Sequence, residues 1–411
     1  MTAVAPPNDS QAAATAVCLL TCHYPPLSRT YRRYQFARYL ADGGCHVTVV
    51  AHGNISRAFG TFVDDPSLAV DDPQVPVRRP RALPWHLTGE LLHRLGLIPC
   101  PHLNWLGPAA RAARQAIGSP PSLVLGVYPP LTNQLAAWRV ARATGRPLVL
   151  DFRDEYLGLH RGRRRPWAAW CEPRLVAAAA LISVATQRLA DTLASRYGVA
   201  PERLHVTSNG WWDDVDGDLA LPRRGRVRLV YSGALSVAQG PGVLVEAVRR
   251  WSAQHPGRAG ELEVVFHGPD NRFLRQQLLP QCVGLVRYGG FLPARAVSAA
   301  LLGADICFLS LASDDYQYAI PGKLYEYIAH ARPLLAALPD GPARQLIESE
   351  GFGVVARCGD AADLAAQLGR LLEPACRAAC HQRLLARRDA YAARPHFLSL
   401  ARRLHQVGCG Q

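Results

Sequence analysis

Of the 46 basic Lys and Arg residues in this 411-residue chain, a single one is lysine, Lys323. Everywhere else a cation stands, it is a planar, five-donor guanidinium; an ammonium is a compact point charge on a flexible stem. Lys323 follows Pro321-Gly322 and opens an apolar helical pattern, Leu324-Tyr325-Glu326-Tyr327-Ile328-Ala329. The first turn of a helix is where backbone N–H groups and the helix dipole favour an anion. Glu326 lies three residues on and shares that helix face. A carboxylate accepts two hydrogen bonds from neighbouring ribose hydroxyls, and an ammonium balances a diphosphate. The plain alternative is a surface i, i+3 ion pair, worth roughly 0.2–0.5 kcal/mol. It accounts for neither the lone lysine nor the Pro-Gly before it.

Other segments join small residues to strand ends. Leu229-Val230-Tyr231-Ser232-Gly233-Ala234-Leu235, with Ala238-Gln239-Gly240, reads as a strand, a glycine turn and the start of a helix near Pro241. Small side chains there let backbone N–H groups approach an anion. Phe266-His267-Gly268-Pro269-Asp270 and Tyr288-Gly289-Gly290-Phe291-Leu292-Pro293 repeat the pattern, and loops of this kind hold a base by main-chain contacts; each alone is also an ordinary turn. In the first half, Leu148–Asp151 leads into Phe152-Arg153-Asp154-Glu155, crowding three acids and an Arg at the carboxyl end of an apolar strand. Such charges are paired or used. Arg153 could hold a phosphate, with Asp151 or Asp154 orienting a hydroxyl, or Arg153 and an acid could simply pair and fix the loop. Tyr24-Pro25-Pro26 with Arg29, Arg32 and Arg33 follows the first strand, and Tyr128-Pro129-Pro130 follows the third; both would shape an acceptor pocket. His160–Trp167 with Trp170 sets arginines beside tryptophan, as at a membrane interface or a lipid-linked pyrophosphate, or in a plain solvated loop.

These segments need a scaffold that gathers strand ends. Strand-like apolar runs alternate with helical ones almost throughout, the mark of parallel α/β sheets. Strands are expected at 16–21, 46–51, 122–127, 147–152, 181–185 and 204–207, then at 228–231, 262–266, 284–288, 305–309, 333–337 and 353–356. The stretch from about Asp64 to Pro108, rich in Pro, Trp and His, reads as an insertion of loops and short helices with an amphipathic patch around Trp85–Leu97. The expected organisation is a disordered tail over 1–15, an N-terminal Rossmann-like domain over 16–210 and a linker over 211–226. A second Rossmann-like domain over 227–373 and a helical segment over 374–411, turning back towards the first domain, complete it. Two such domains facing each other across a cleft would present a ligand to both sets of strand ends.

Composition narrows the partners. Nearly half the residues are hydrophobic, as in a folded globular chain. The net charge of +14 is uneven: residues 1–210 hold a basic surplus of 10 and the remainder a surplus of 4. The first half is therefore the part to meet an anion, such as a phosphorylated acceptor or an acidic membrane surface. No zinc-finger, helix-turn-helix or RNA-recognition signature supports a nucleic-acid partner. The 11 cysteines are scattered without paired CxxC knuckles, which argues against a zinc site and for reduced, buried thiols in a cytoplasmic protein. No secretory signal is recognisable, and the longest uncharged apolar run, around Leu175–Gln187, is too short to span a bilayer.

Taken together, the segments resemble family-4-like (group 1) glycosyltransferases of the GT-B fold, of the bacterial polysaccharide type. The closest match is PGKLYEYIAHARPLLA (Pro321–Ala336), followed by LVLDFRDEY (Leu148–Tyr156), VTSNGWWDD (Val206–Asp214) and YSGAL…AQG (Tyr231–Gly240). Glu172 also resembles a recurring acid of that family. The resemblance implies that Glu326 binds the donor ribose, that Gly233, Ala234 and Gln239 lie near the diphosphate with Lys323 as its cation, and that Phe291 and Leu292 lie near the base. His267, Gly268, Pro321, Gly322, Leu324 and Tyr325 complete the donor side, and Tyr24, Pro25, Arg29, Tyr128 and Asp151 the acceptor side. Lys323, Glu326, Arg153 and Asp154 are the candidate catalytic groups. Two features depart from the family pattern. The first acid of its paired-glutamate motif falls on Tyr318, with Asp314 or Asp315 as substitutes, and the basic residue often found in the first donor loop is missing around Ser236-Val237.

The function expected on these grounds is transfer of a sugar from a nucleotide-diphosphate sugar to a hydroxyl acceptor, a glycan or lipid-linked glycan. No further cofactor and no metal are expected, and the resemblance implies retention of anomeric configuration. The domains would close to exclude water from the donor. The place of action would be the cytoplasm, with peripheral contact to the inner, anionic face of the membrane. A nucleotide-sugar epimerase of the same fold and a non-catalytic sugar- or nucleotide-binding partner are the rivals; incubating protein with donor alone and looking for an epimer separates the first.

Overall fold

In the computed structural model the described residues are 14–27, 30–54, 65–83, 86–117, 122–160, 162–212, 215–282, 284–312 and 320–410. The chain divides into two compact units, one of residues 1–64, 69–208 and 394–411, the other of residues 65–68 and 209–393.

The first unit is built on a seven-stranded parallel sheet. Its strands are β1 (Ala16–Leu20), β2 (His46–Val50), β3 (Val77–Arg78), β4 (Ser122–Tyr128), β5 (Leu148–Phe152), β6 (Leu181–Val184) and β7 (Leu204–Val206), in the order β3-β2-β1-β4-β5-β6-β7. Every residue of β4 and β5 is buried, as expected where helices cover both faces of a parallel sheet. The helices end on residues suited to the task. Thr186 caps Gln187–Tyr197 by accepting the Leu189 N–H at 3.2 Å, and Gly198 ends it in the left-handed conformation.

The second unit carries a six-stranded parallel sheet of β8 (Val227–Ser232), β9 (Leu262–His267), β10 (Val286–Tyr288), β11 (Ile306–Ser310), β12 (Leu334–Leu338) and β13 (Gly353–Arg357). Their order, β10-β9-β8-β11-β12-β13, reverses direction between β8 and β11, the switch point at which doubly wound sheets bind ligands beyond the carboxyl ends of the strands.

All twelve expected strands are present within two residues of their expected limits, and β3 is an addition. The Asp64–Pro108 stretch is more ordered than its composition suggests. It supplies β3, the helix His86–Arg94 and Trp105, which is fully buried and donates its indole N–H to the Pro80 carbonyl at 3.2 Å. The expected tail falls mainly on residues 1–13, outside the described residues. Thr15 is not part of a tail: it is buried, with its hydroxyl 3.0 Å from His405 Nδ1.

The segment expected as a linker, 211–226, groups with the second unit. Trp211 bridges to Ala392 and donates its indole N–H to the Arg388 carbonyl at 2.8 Å. Arg332 is fully buried and donates to the carbonyls of Leu219 and Ala220, both at 3.0 Å. Through these two hydrogen bonds a buried guanidinium holds this stretch against the sheet. The C-terminal helical segment divides: Pro374–Arg387 belongs to the second unit, and the helix Arg394–Gly408 to the first.

Candidate active site

In the second unit, the loops after β8, β9 and β10 are tied to one another by their backbones. Gly233 N–H donates to the His267 carbonyl at 2.9 Å, Gly268 N–H to Gly290 at 3.2 Å, and Gly289 N–H to Phe266 at 2.8 Å. The Tyr288 hydroxyl donates to the Gly268 carbonyl at 2.8 Å, and His267 Nδ1 lies 3.3 Å from the Gly290 carbonyl. Gly268 is required by this closeness, because a Cβ there would strike the Gly233 carbonyl. The three glycine turns seen in the sequence therefore form one assembly at the carboxyl edge of the sheet.

Lys323 reaches that assembly from the helix Gly322–Ala329. Its Nζ lies 3.8 Å from the centroid of the Tyr231 ring, a cation–π contact. Gly233, at φ +136°, leaves room for it: a Cβ at that position would occupy the space of the Lys323 chain end. The Tyr231 hydroxyl donates to the Ala234 carbonyl, and Tyr327, one residue beyond Glu326, accepts the Ser232 N–H at 3.4 Å. Lysine stem, tyrosine rings and glycine turn thus lock the end of β8 to the helix mouth. Glu326 is half-buried; burial pushes its carboxyl above the usual range, and the Lys323 charge pulls it part of the way back. Such a carboxylate is poised to accept hydrogen bonds in a partly dry site.

The remaining donor-side candidates divide. Ala234, Gln239, Pro321 and Leu292 are half-buried, Gly322 is exposed, and the Phe291 ring is 41 % exposed, a large apolar face open for stacking. The Gln239 carbonyl accepts the Ser310 hydroxyl at 2.5 Å, which fixes the loop. Leu324 and Tyr325 are different: both side chains are buried, and the Leu324 N–H donates to Pro321 at 2.9 Å. They anchor the helix to the core and do not present side chains to a ligand. A pocket of about 280 Å³ is lined by Val237, Gly240, Val243, Phe273, Leu311 and Ala312 among others. It borders the donor loop but includes neither Lys323 nor Phe291. Tyr318, Asp314 and Asp315 lie outside the described residues.

In the first unit the structure corrects several acceptor-side expectations. Asp151 is fully buried. It accepts from the Arg153 guanidinium and, at 2.7 Å, from the Ser183 hydroxyl. Arg153 also donates to the Thr207 carbonyl at 2.7 Å and lies over the rings of Phe36 and Phe397, 5.6 and 5.1 Å from their centroids. The pairing that fixes the loop is what the geometry supports, and Asp151 has no surface left for an acceptor. Tyr24, Pro25 and Tyr128 are buried too: the Arg79 guanidinium covers the Tyr24 ring and donates to the Pro25 carbonyl, and Tyr128 packs edge-on against Tyr156. These aromatics build the core beneath the strand ends. Arg29 lies outside the described residues.

Asp154 is half-buried at this edge, as is Glu155, which pairs with Arg196. Burial pushes the Asp154 carboxyl up, and Arg32, Arg33 and Arg153 pull it down. Arg33, itself buried, donates to the Pro129 carbonyl at 3.3 Å. Glu172 is fully buried and accepts from the Leu157 N–H at 2.8 Å, the Tyr197 hydroxyl at 2.5 Å and Arg196 at 3.2 Å. Its place is the start of the helix Tyr156–Leu159. Tyr231, Tyr327 and Arg332 were not singled out from sequence, although they fall inside the segments Tyr231–Gly240 and Pro321–Ala336; their contacts with Lys323, Ser232 and Leu219–Ala220 respectively are with residues distant in the chain.

Comparison with known proteins follows the same division. Residues 30–210 match the family model described as glycosyl transferase 4-like domain, and residues 226–374 the model described as glycosyl transferases group 1. A search of curated proteins finds no match. Among solved structures, HepE of Anabaena, in complex with UDP-glucose, aligns with a TM-score of 0.66 at 14% identity over 94% of this chain and 98% of that one. WaaG, a glycosyltransferase involved in lipopolysaccharide biosynthesis, aligns at 0.65 and 14% over 97% and 100%. A UDP-forming trehalose-phosphate synthase of Burkholderia xenovorans aligns at 0.68 and 13% over 96% and 99%. At these identities the likeness shows the fold, which is GT-B.

Proposed function

The chain belongs to the group 1 glycosyltransferases, with a 4-like first domain, and from that membership we propose that it moves a sugar from a nucleotide-diphosphate sugar to a hydroxyl acceptor. The observation that carries this reading is the seating of Lys323 over Tyr231 and against Gly233, at the mouth of a helix that presents Glu326 one turn later. An ammonium beside a glycine turn, at the positive end of a helix dipole, suits a diphosphate. The carboxylate suits the ribose hydroxyls and Phe291 the base. That HepE was solved with UDP-glucose supports a uridine or related diphosphate sugar as donor.

The acceptor hydroxyl attacks the anomeric carbon, the bond to the diphosphate oxygen breaks, and negative charge grows on the leaving group. Lys323 and the positive dipole end of the helix Gly322–Ala329 stabilise that charge, the kind of preorganised electrostatics that contributes most to such reactions. Transfer needs no metal in this scheme. The first unit binds the acceptor, a glycan or lipid-linked glycan of a cell-surface polysaccharide, with Asp154 as the acid that meets it and Arg153 positioning the loop. Configuration is retained, as in the family.

Contact with an anionic membrane is supported by a surface of the first unit. Trp167 donates its indole N–H to the Gly96 carbonyl at 2.9 Å, joining the arginine-rich turn to the end of the helix His86–Arg94. Leu91, Leu95, Leu97 and Trp170 on these segments are exposed, beside Arg163, Arg164 and Arg165. Apolar residues among cations are what a lipid surface recruits. Among the described residues no helix is long and apolar enough to cross a membrane.

A thermal-shift screen with UDP, GDP, ADP, TDP and CMP tests the donor assignment, since a ligand raises the melting temperature of the state that binds it. One diphosphate stabilising the wild type and not Lys323→Ala is the expected result; no shift with any of them would remove the reading.

A further inference from the structure

At the carboxyl end of β1, the transfer scheme leaves a cluster unused. Cys22, His23 and His102 offer a thiol and two imidazole nitrogens that all lie within 4.8 Å of one another. We propose that these three side chains form a binding site for a thiophilic divalent transition metal of the zinc class, which ties the Cys100–Trp105 segment to the end of β1. A zinc ion held by Cys and His sits about 2.3 Å from sulfur and about 2.0 Å from nitrogen, so small side-chain rotations close the set around it. Three protein ligands leave a fourth position for water.

The frame around the cluster is rigid and comes from separate parts of the chain. The Cys22 N–H donates to Asn133 Oδ1 at 2.8 Å, and Asn133 Nδ2 donates to the Val127 carbonyl at 2.6 Å. The Cys22 carbonyl accepts the His52 N–H at 3.2 Å. The His23 and His102 rings meet edge-on at 5.2 Å, and the His52 ring stacks on buried Trp105 at 5.5 Å. The Trp105 N–H donates to the His102 carbonyl at 3.0 Å, which holds His102 at the start of its turn. A metal binds imidazole through a ring nitrogen and cysteine as the thiolate, so the Cys22 thiol gives up its proton on binding.

The test uses the full chain, stripped with a chelator under reducing conditions and titrated with Co²⁺. About one Co²⁺ per chain is expected, with visible d–d bands and a thiolate charge-transfer band. Cys22→Ser should abolish the charge-transfer band, and His102→Ala should weaken uptake by about tenfold or more. His46→Ala, at an exposed imidazole outside the cluster, should leave both unchanged. His102 is half-buried, so its variant keeps the test decisive if Cys22→Ser fails to fold. Failure of the reduced wild type to take up Co²⁺, uptake unchanged in both ligand variants, or a Cys22–Cys100 disulfide in the purified protein would each overturn the proposal.

Discussion

At the residue scale, Lys323 and Glu326 make separable contributions. Lys323→Ala should fold normally and lose transfer by about 10²–10³-fold, the cost of removing one preorganised group that meets developing charge; turnover near wild type would end the donor assignment. Lys323→Arg keeps the charge but cannot fit a forked head over Tyr231 beside Gly233, so it should recover little. Glu326 gives a prediction in which stability and activity move oppositely. Its carboxyl is raised by burial more than Lys323 lowers it, so the folded state binds its proton more tightly than the unfolded chain. That contribution to stability is present below the ordinary glutamate range and is lost as pH rises through the raised value. Glu326→Gln should therefore melt higher than wild type at neutral pH, with the gap closing in acid, while transfer falls. Melting curves at several pH values check the sign.

At the element scale, the strands were legible because buried parallel strands are unbroken apolar runs, and the helix that opens at Gly322 was legible because its signals are local. What escaped depends on partners far away in the chain. Nothing near Tyr24 or Tyr128 says that Arg79 and Tyr156 will cover them, so they read as pocket residues and proved to be core. Trp211–Arg226 read as a linker because its composition is polar, and its hold is a guanidinium over a hundred positions later. Arg332→Met should cost about 1–3 kcal/mol, the penalty for leaving two carbonyls without their donor; denaturant unfolding measures it. Gly268→Ala should separate the loops after β8 and β9 and weaken nucleotide affinity, read by the same thermal shift, more than it lowers the melting temperature of the free protein.

At the scale of the whole molecule, the proposed membrane contact draws on both the charge asymmetry and the Leu91–Trp170 surface. The first half of the chain carries most of the positive surplus, and cations near an acidic bilayer are worth about 1 kcal/mol each before salt screens them. Sedimentation with vesicles containing acidic phospholipid should retain the protein at low salt and release it at high salt. Leu91→Glu with Leu95→Glu should abolish retention without changing transfer to a soluble acceptor. Recovery of wild type in the supernatant at low salt would count against membrane contact.

Residues 394–411 complete the first unit, although residues 209–393, almost the whole of the second, intervene. During synthesis the later-numbered unit is therefore finished first, while the earlier one waits for Phe397 to cover Arg153 and Phe36. A polypeptide stopped after Ala393 should retain a sound second unit and an unfinished first one, exposed to proteases. The excised 209–393 segment should stand alone, whereas 1–208 should require its closing helix to be supplied, even as a separate peptide.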